Sequence, residues 1–175
     1  MFCIFSYEGG TMKKIDIANG VVFQKFNISK DSFDTRLLAQ KKIYLLQSLG
    51  TNLGYEYNWY LRGPYSPSLS NYIYNNLEVL GSYDFSDYTI TDKAKNDIES
   101  VVQLETEKGQ DIDSVQWYEL LASLMFIYRN NESWKITKND EDVYRILMTE
   151  KPKYNREQCE RAYKTLVDKN FLRDN

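Results

Sequence analysis

Apolar residues recur along most of this chain at helical spacing. Ile15, Ala18, Val22 and Phe26 share one face of a segment from about Lys13 to Phe26, and that period predicts a helix. Gly20 lies inside it, at a cost of about 1 kcal/mol relative to Ala. Asn27 to Asp34 is polar and turn-like. A second helix is predicted from about Asp34 to Leu49. Its Leu38, Ile43, Leu45, Leu46 and Leu49 leave little polar circumference, so it reads as the central, most buried helix. Gly50 stops it. The period then changes to two. Tyr55, Tyr57, Trp59 and Leu61 alternate with Glu56, Asn58 and Tyr60, the mark of a half-buried strand. Gly63-Pro64 is read as breaking that strand. Ser66 caps and Pro67 opens a helix reaching Leu80. Arg62 and Tyr65 are thus expected to project from a rigid corner.

Past Gly81, Tyr83 to Phe85 and Tyr88 to Ile90 flank the turn signal Ser86-Asp87 and read as a small hairpin. Thr91 caps a helix with Ala94, Ile98 and Val101 on one face. Asp113 and Gln116 are spaced like a capping box ahead of an amphipathic helix, Ser114 to Arg129. Asn139 caps the next helix, with Asp140, Glu141 and Asp142 in a first turn that favours negative charge. Lys151-Pro152 forces an exit. Asn155 caps a last helix with Cys159, Ala162, Tyr163, Leu166 and Val167 inward, and Phe171 and Leu172 fold back onto it. The expectation is a mainly α fold with a minor β part. It is a single helical domain over 12–175, with a winged-helix-like centre, a small antiparallel sheet or hairpin, and a weak seam near 107–112. Residues 1–11 read as an N-terminal extension of little order ahead of Met12.

The 175 residues are 42% hydrophobic and 27% charged, an ordinary soluble composition. Of the fifteen tyrosines, eight lie between Tyr55 and Tyr88. A tyrosine buries its ring and keeps its hydroxyl satisfied, which suits both a core and a contact surface. A net charge of −3 gives no whole-chain basic field for nucleic acid. Cys3 and Cys159 are too few for a disulfide scaffold, so a reducing, cytoplasmic setting is expected. No apolar run approaches a membrane span, and residues 1–11 lack the make-up of a signal peptide.

Candidate chemistry is sparse. With no histidine, His-containing metal sites and His-based acid/base schemes are excluded. No phosphate-cradling glycine loop is present. Asp140, Glu141 and Asp142 are adjacent on a helix and diverge. No catalytic residue, metal ligand or cofactor is therefore predicted. A carboxylate-dependent nuclease or hydrolase would need acidic groups gathered by the fold.

The order of elements around Pro67 to Ile90 is that of a winged helix, with Pro67 to Leu80 entering a DNA groove. Yet that helix has no Lys or Arg and carries Glu78, whereas DNA affinity rests largely on neutralised phosphates. The segment 151–175 holds seven basic residues against four acidic ones. Lys151, Lys153, Arg156, Arg161 and Lys164 are its candidates for nucleic acid, the alternative being a solvated basic face. Arg62 either binds an external carboxylate or phosphate through its planar fork, or pairs with an internal acid and pins the corner. Trp59, Tyr60, Arg62, Tyr65 and Ser66 are the candidate contact residues for a protein partner.

Two runs resemble a known family. Lys42-Ile43-Tyr44-Leu45-Leu46-Gln47 followed by Trp59-Tyr60-Leu61-Arg62-Gly63-Pro64-Tyr65-Ser66-Pro67 is similar to the YwgA type of prokaryotic proteins, and more distantly to the Panacea, or SocA-like, antitoxin domain. Trp117-Tyr118-Glu119-Leu120-Leu121-Ala122-Ser123-Leu124 and Lys151-Pro152-Lys153-Tyr154 extend the YwgA-like pattern. The resemblance runs from about Met12 to Leu172. It implies no catalytic residues. It implies a protein that binds and neutralises a partner such as a toxin, or that serves in a defence locus. The sequence therefore reads as a non-catalytic interaction protein, the alternative being a winged-helix DNA-binding regulator.

Overall fold

The structure, a computed structural model, describes residues 12–172. The expectation for residues 1–11 lies outside them. The described residues form eight α-helices and one two-stranded antiparallel sheet. The helices are α1 (Lys14–Lys25), α2 (Phe33–Ser48), α3 (Pro67–Gly81), α4 (Asp92–Gln103), α5 (Ser114–Arg129), α6 (Asn131–Trp134), α7 (Asp140–Glu150) and α8 (Arg156–Asp168). A short 3-10 turn, Leu104–Glu107, continues α4. The strands β1 (Asn58–Tyr60) and β2 (Gly63–Tyr65) lie between α2 and α3.

Local chemistry sets most of the boundaries. Ser66, Thr91, Asp113, Asn139 and Asn155 each accept a hydrogen bond from the amide three residues on, and so start α3, α4, α5, α7 and α8. Such a cap is worth about 1 kcal/mol. Asp113 makes only its own half of the expected box. Complete boxes form at Asn155–Gln158 and at Ser32–Thr35, which starts α2.

α2 and α5 pack against each other at the centre. Of the two, α5 is the more enclosed, because every residue from Trp117 to Met125 is buried; the expectation that α2 would be the most buried helix is corrected. α7 and α8 cover α5, and α1 lies on α3. Near 107–112 the flanking Leu104 and Ile112 join the same core cluster as α1, α2 and α5. The Trp117 indole donates to the Leu104 carbonyl at 2.7 Å and the Tyr118 hydroxyl to Val101 at 2.8 Å.

The expected hairpin across 83–90 does not form, and a winged-helix centre loses its wing there. The segment is irregular apart from a bridge residue at Ile90. Its alternating aromatics pack on each other and on α1 instead of along a ladder. The Phe85 ring is buried, 5.8 Å from that of Tyr88 and pressed against Gly20 of α1. A Cβ at Gly20 would overlap that ring. The helix-weakening glycine is thus the seat for Phe85. Gly20→Ala, which helix propensity alone would make stabilising by about 1 kcal/mol, is expected to destabilise by roughly 1–3 kcal/mol through overpacking. Urea denaturation of the single variant and of Gly20→Ala with Phe85→Leu checks this, since the second change should recover most of the loss.

Candidate functional site

The corner is a tight hairpin. Trp59 pairs with Pro64 and Tyr60 with Gly63, leaving Leu61 and Arg62 at the tip. Neither tip residue takes a positive φ, whereas Gly63 has φ 79°. A tight turn closed by a left-handed glycine reverses the chain in this way. Gly63-Pro64 therefore returns as the second strand instead of ending the first. Pro64 is tolerated because the other edge of β2 is unpaired. The carbonyl of Pro64 is taken by the buried Lys41 ammonium of α2, at 2.5 Å. At Gly63 a side chain would also overlap the Ser123 hydroxyl of α5.

The segment around the hairpin is held mainly by α2 side chains that stand in for a neighbouring strand. Gln40 donates to the Ser66 carbonyl and accepts from the Ser66 amide, both at 2.9 Å. Gln47 donates to the Tyr55 carbonyl at 2.7 Å and accepts from the amides of Leu53 and Tyr55. The rings of Tyr44 and Tyr57 meet edge to face at 5.0 Å.

Below the tip lies a charge cluster centred on Glu119, whose side chain has no exposed surface. Its Oε2 accepts from Arg62 Nε at 2.5 Å and from Lys153 Nζ at 3.1 Å, and its Oε1 from Lys151 Nζ at 3.1 Å. Lys151 also donates to the Leu61 carbonyl at 2.8 Å and stands 5.3 Å from the centre of the Trp59 ring. Burial pushes the Glu119 carboxyl up, but Lys151, Arg62 and Lys153 outweigh it and hold the group below its ordinary 4.5. Burial brings the Lys41 ammonium down from 10.5 to about 7, with Lys151 and Arg62 acting the same way and Glu119 opposing. Burial lowers Lys151 as well.

The sequence-derived contact residues divide. Tyr60 is exposed and its ring lies 5.2 Å from that of Tyr65. Arg62 takes the second role weighed for it, pairing with an internal acid and pinning the corner, while 35% of its side chain remains exposed, with Phe33 5.9 Å away from the guanidinium. Trp59 is half-buried against Phe126 and Trp134. Ser66 is withdrawn as a contact residue, because it is fully enclosed as the α3 cap.

The basic candidates do not form one face. Lys151 is buried and spent on Glu119, so it is removed from any nucleic-acid surface. Lys153 joins the hairpin cluster. Arg156 is held by Glu141 and Glu160, Arg161 by Asp111, and exposed Lys164 lines a surface notch with Glu107 and Asp168. Sequence reasoning missed Leu61, which it placed inward and which is 89% exposed because the strand period ends at the turn. It also assigned no role to Lys41, Gln40 and Glu119; a carboxylate inside the apolar run 117–125 was the available signal. Among the described residues no group of three or more Cys, Asp or Glu could hold a metal ion, and no helix is long and apolar enough to cross a membrane.

Removing the Glu119 charge leaves buried cations unmatched, so Glu119→Gln should cost roughly 3–5 kcal/mol in chemical denaturation. Because the folded carboxyl sits below 4.5, its contribution is present above that value and is lost as pH falls through the lower folded one. Lys41 is displaced in the same direction, in a window at higher pH. Between about 7 and 10.5 the unfolded chain holds the proton that folded Lys41 has released, so Lys41 makes stability rise with pH there, seen most cleanly below about 9, above which the burial-raised Cys159 thiol and then the buried tyrosines act the other way. Lys41→Met should flatten the rise without abolishing it, Lys151 being displaced in the same direction; an unchanged slope would show that Lys41 does not cause it. Comparison with protein-family models, curated proteins and solved structures returned no match for this chain.

Proposed function

We propose that this chain is a non-catalytic interaction protein that docks a protein partner on the tip of the β1–β2 hairpin. The observation that carries this reading is Leu61, 89% exposed at the end of a hairpin whose second strand packs on the two central helices. A scattered exposed leucine needs no explanation. This one adjoins exposed Tyr60, the half-buried Tyr65 ring and, through Arg62, exposed Phe33. Aromatic residues and arginine around an apolar anchor are the make-up of interface hot spots. The resemblance to YwgA-type and Panacea-like proteins supports a toxin or defence component as the partner. A cytoplasmic setting belongs to the same reading and fits Cys159, a free and buried thiol.

Duplex DNA has less support as a ligand. Helix α3 carries no cation, and the α8 arginines are matched by carboxylates. A photo-crosslinking residue placed at Leu61, and separately at Lys164, separates the readings in the source cells. The expected outcome is a discrete protein adduct at 61 and none at 164. Leu61→Asp should lower capture of that protein at least tenfold with an unchanged thermal midpoint. A nucleic-acid adduct, a self-adduct, or no adduct at 61 would overturn the proposal.

A further inference from the structure

The cation cluster beneath the hairpin tip is only partly neutralised. Arg62 and Lys153 both donate to the same atom, Glu119 Oε2, so their nitrogens are close neighbours. Neither is used up. Arg62 spends only Nε on Glu119; its two terminal nitrogens bond to no described residue, and 35% of the side chain is exposed. Lys153 makes this one hydrogen bond, and its side chain is 41% exposed. Around them stand Lys41 and Lys151, against the carboxylates of Glu119 and of Glu150, which accepts from the Trp59 indole at 3.3 Å. Burial takes Lys41 to about 7, so it adds only part of a charge at neutral pH. The surplus is small and positive, and it is carried by the two part-exposed cations, Arg62 beside Phe33 and Lys153.

We infer that the outward edge of Arg62, together with Lys153, binds a single carboxylate of the partner, carried by an acidic residue next to an apolar one. This rests on the hairpin tip being the docking surface. A guanidinium edge and a neighbouring ammonium match the two oxygens of a carboxylate. The modest surplus suits one negative charge rather than a phosphate dianion. The exposed Phe33 ring 5.9 Å from the guanidinium, and exposed Leu61 next to Arg62 in sequence, give an apolar flank a place to lie. Glu119 holds the arginine in place by its inner nitrogen, so the outer edge is presented already ordered.

The test uses blocked dipeptides as probes and the Leu61 and Lys153 backbone amides as NMR reporters. Acetyl-Leu-Asp-amide should shift both signals saturably, at least tenfold more tightly than acetyl-Leu-Asn-amide and more tightly than inorganic phosphate. Arg62→Gln should weaken the aspartyl peptide at least fivefold. Because that change also removes a partner of Glu119, Lys153→Gln at the more exposed position serves as the second variant and should weaken it threefold or more. Equal binding of the two peptides, tighter binding of phosphate, or no effect of Lys153→Gln would overturn the inference. If the peptides fail while Leu61 still cross-links to a protein, the carboxylate is wrong and the docking surface stands. If the aspartyl peptide binds while no protein adduct forms at Leu61, the docking reading fails and this inference with it.

Discussion

A carboxylate with no exposed surface in the middle of the most enclosed helix dictates how the rest of this molecule is arranged. Taking Glu119 out of water costs several kcal/mol, recovered only if cations with good geometry surround it. Three do, and they come from two distant places in the chain. Arg62 arrives on the hairpin tip; Lys151 and Lys153 arrive on the exit from α7. One buried charge thus positions the hairpin, the 151–155 segment and the start of α8 against α5. Lys41 adds a second fastening from α2, through the Pro64 carbonyl. Dispersion and apolar burial hold the helices together, but they are indifferent to where a three-residue strand sits. The charge and its hydrogen bonds supply that specificity.

The same logic explains the polar residues on α2. A two-stranded ribbon is marginal by itself, and the chain from Thr51 to Ser66 has little ladder of its own. Gln40 and Gln47 offer paired donor and acceptor groups to that backbone, as a third strand would. Lys41, Gln40 and Gln47 would be out of place on an otherwise apolar helix surface if burial were its only task. They belong to a helix whose work is to hold an irregular segment rigid.

Much of the architecture was legible because it rests on short-range chemistry. The caps at Ser66, Thr91, Asn139 and Asn155 are read from a side chain and the amide three residues on, and each stands where its residue type placed it. What was not legible depends on residues far apart in sequence. The alternation through 83–90 resembles a strand, but Phe85 answers to Gly20, sixty-odd positions earlier, not to a neighbouring strand. Leu61 continues the period of Tyr55, Tyr57 and Trp59 in sequence, and only the positive φ of Gly63 shows that the strand has already ended. For the candidate site, the aromatic corner and Arg62 stood out by composition. The acid that holds Arg62 stood out only by its apolar neighbours, Trp117, Tyr118, Leu120 and Leu121, and they do not say which distant cations it meets. Lys151 was misjudged for the same reason: a local count of charges says nothing about which of them point inward.

Of the two roles weighed for Arg62, pinning a corner is the one seen, and it does not use the whole side chain. A guanidinium has distinct edges, and here Nε is bonded to Glu119 while 35% of the side chain stays exposed. A free surface arginine would lose considerable rotamer freedom on binding, a cost that subtracts directly from affinity. Arg62 has already lost it in folding, because Glu119 fixes the inner edge and Phe33 lies across the plane. An internal acid on one edge thus orders the whole guanidinium without enclosing it, at a hairpin tip where exposed Leu61 stands next in sequence.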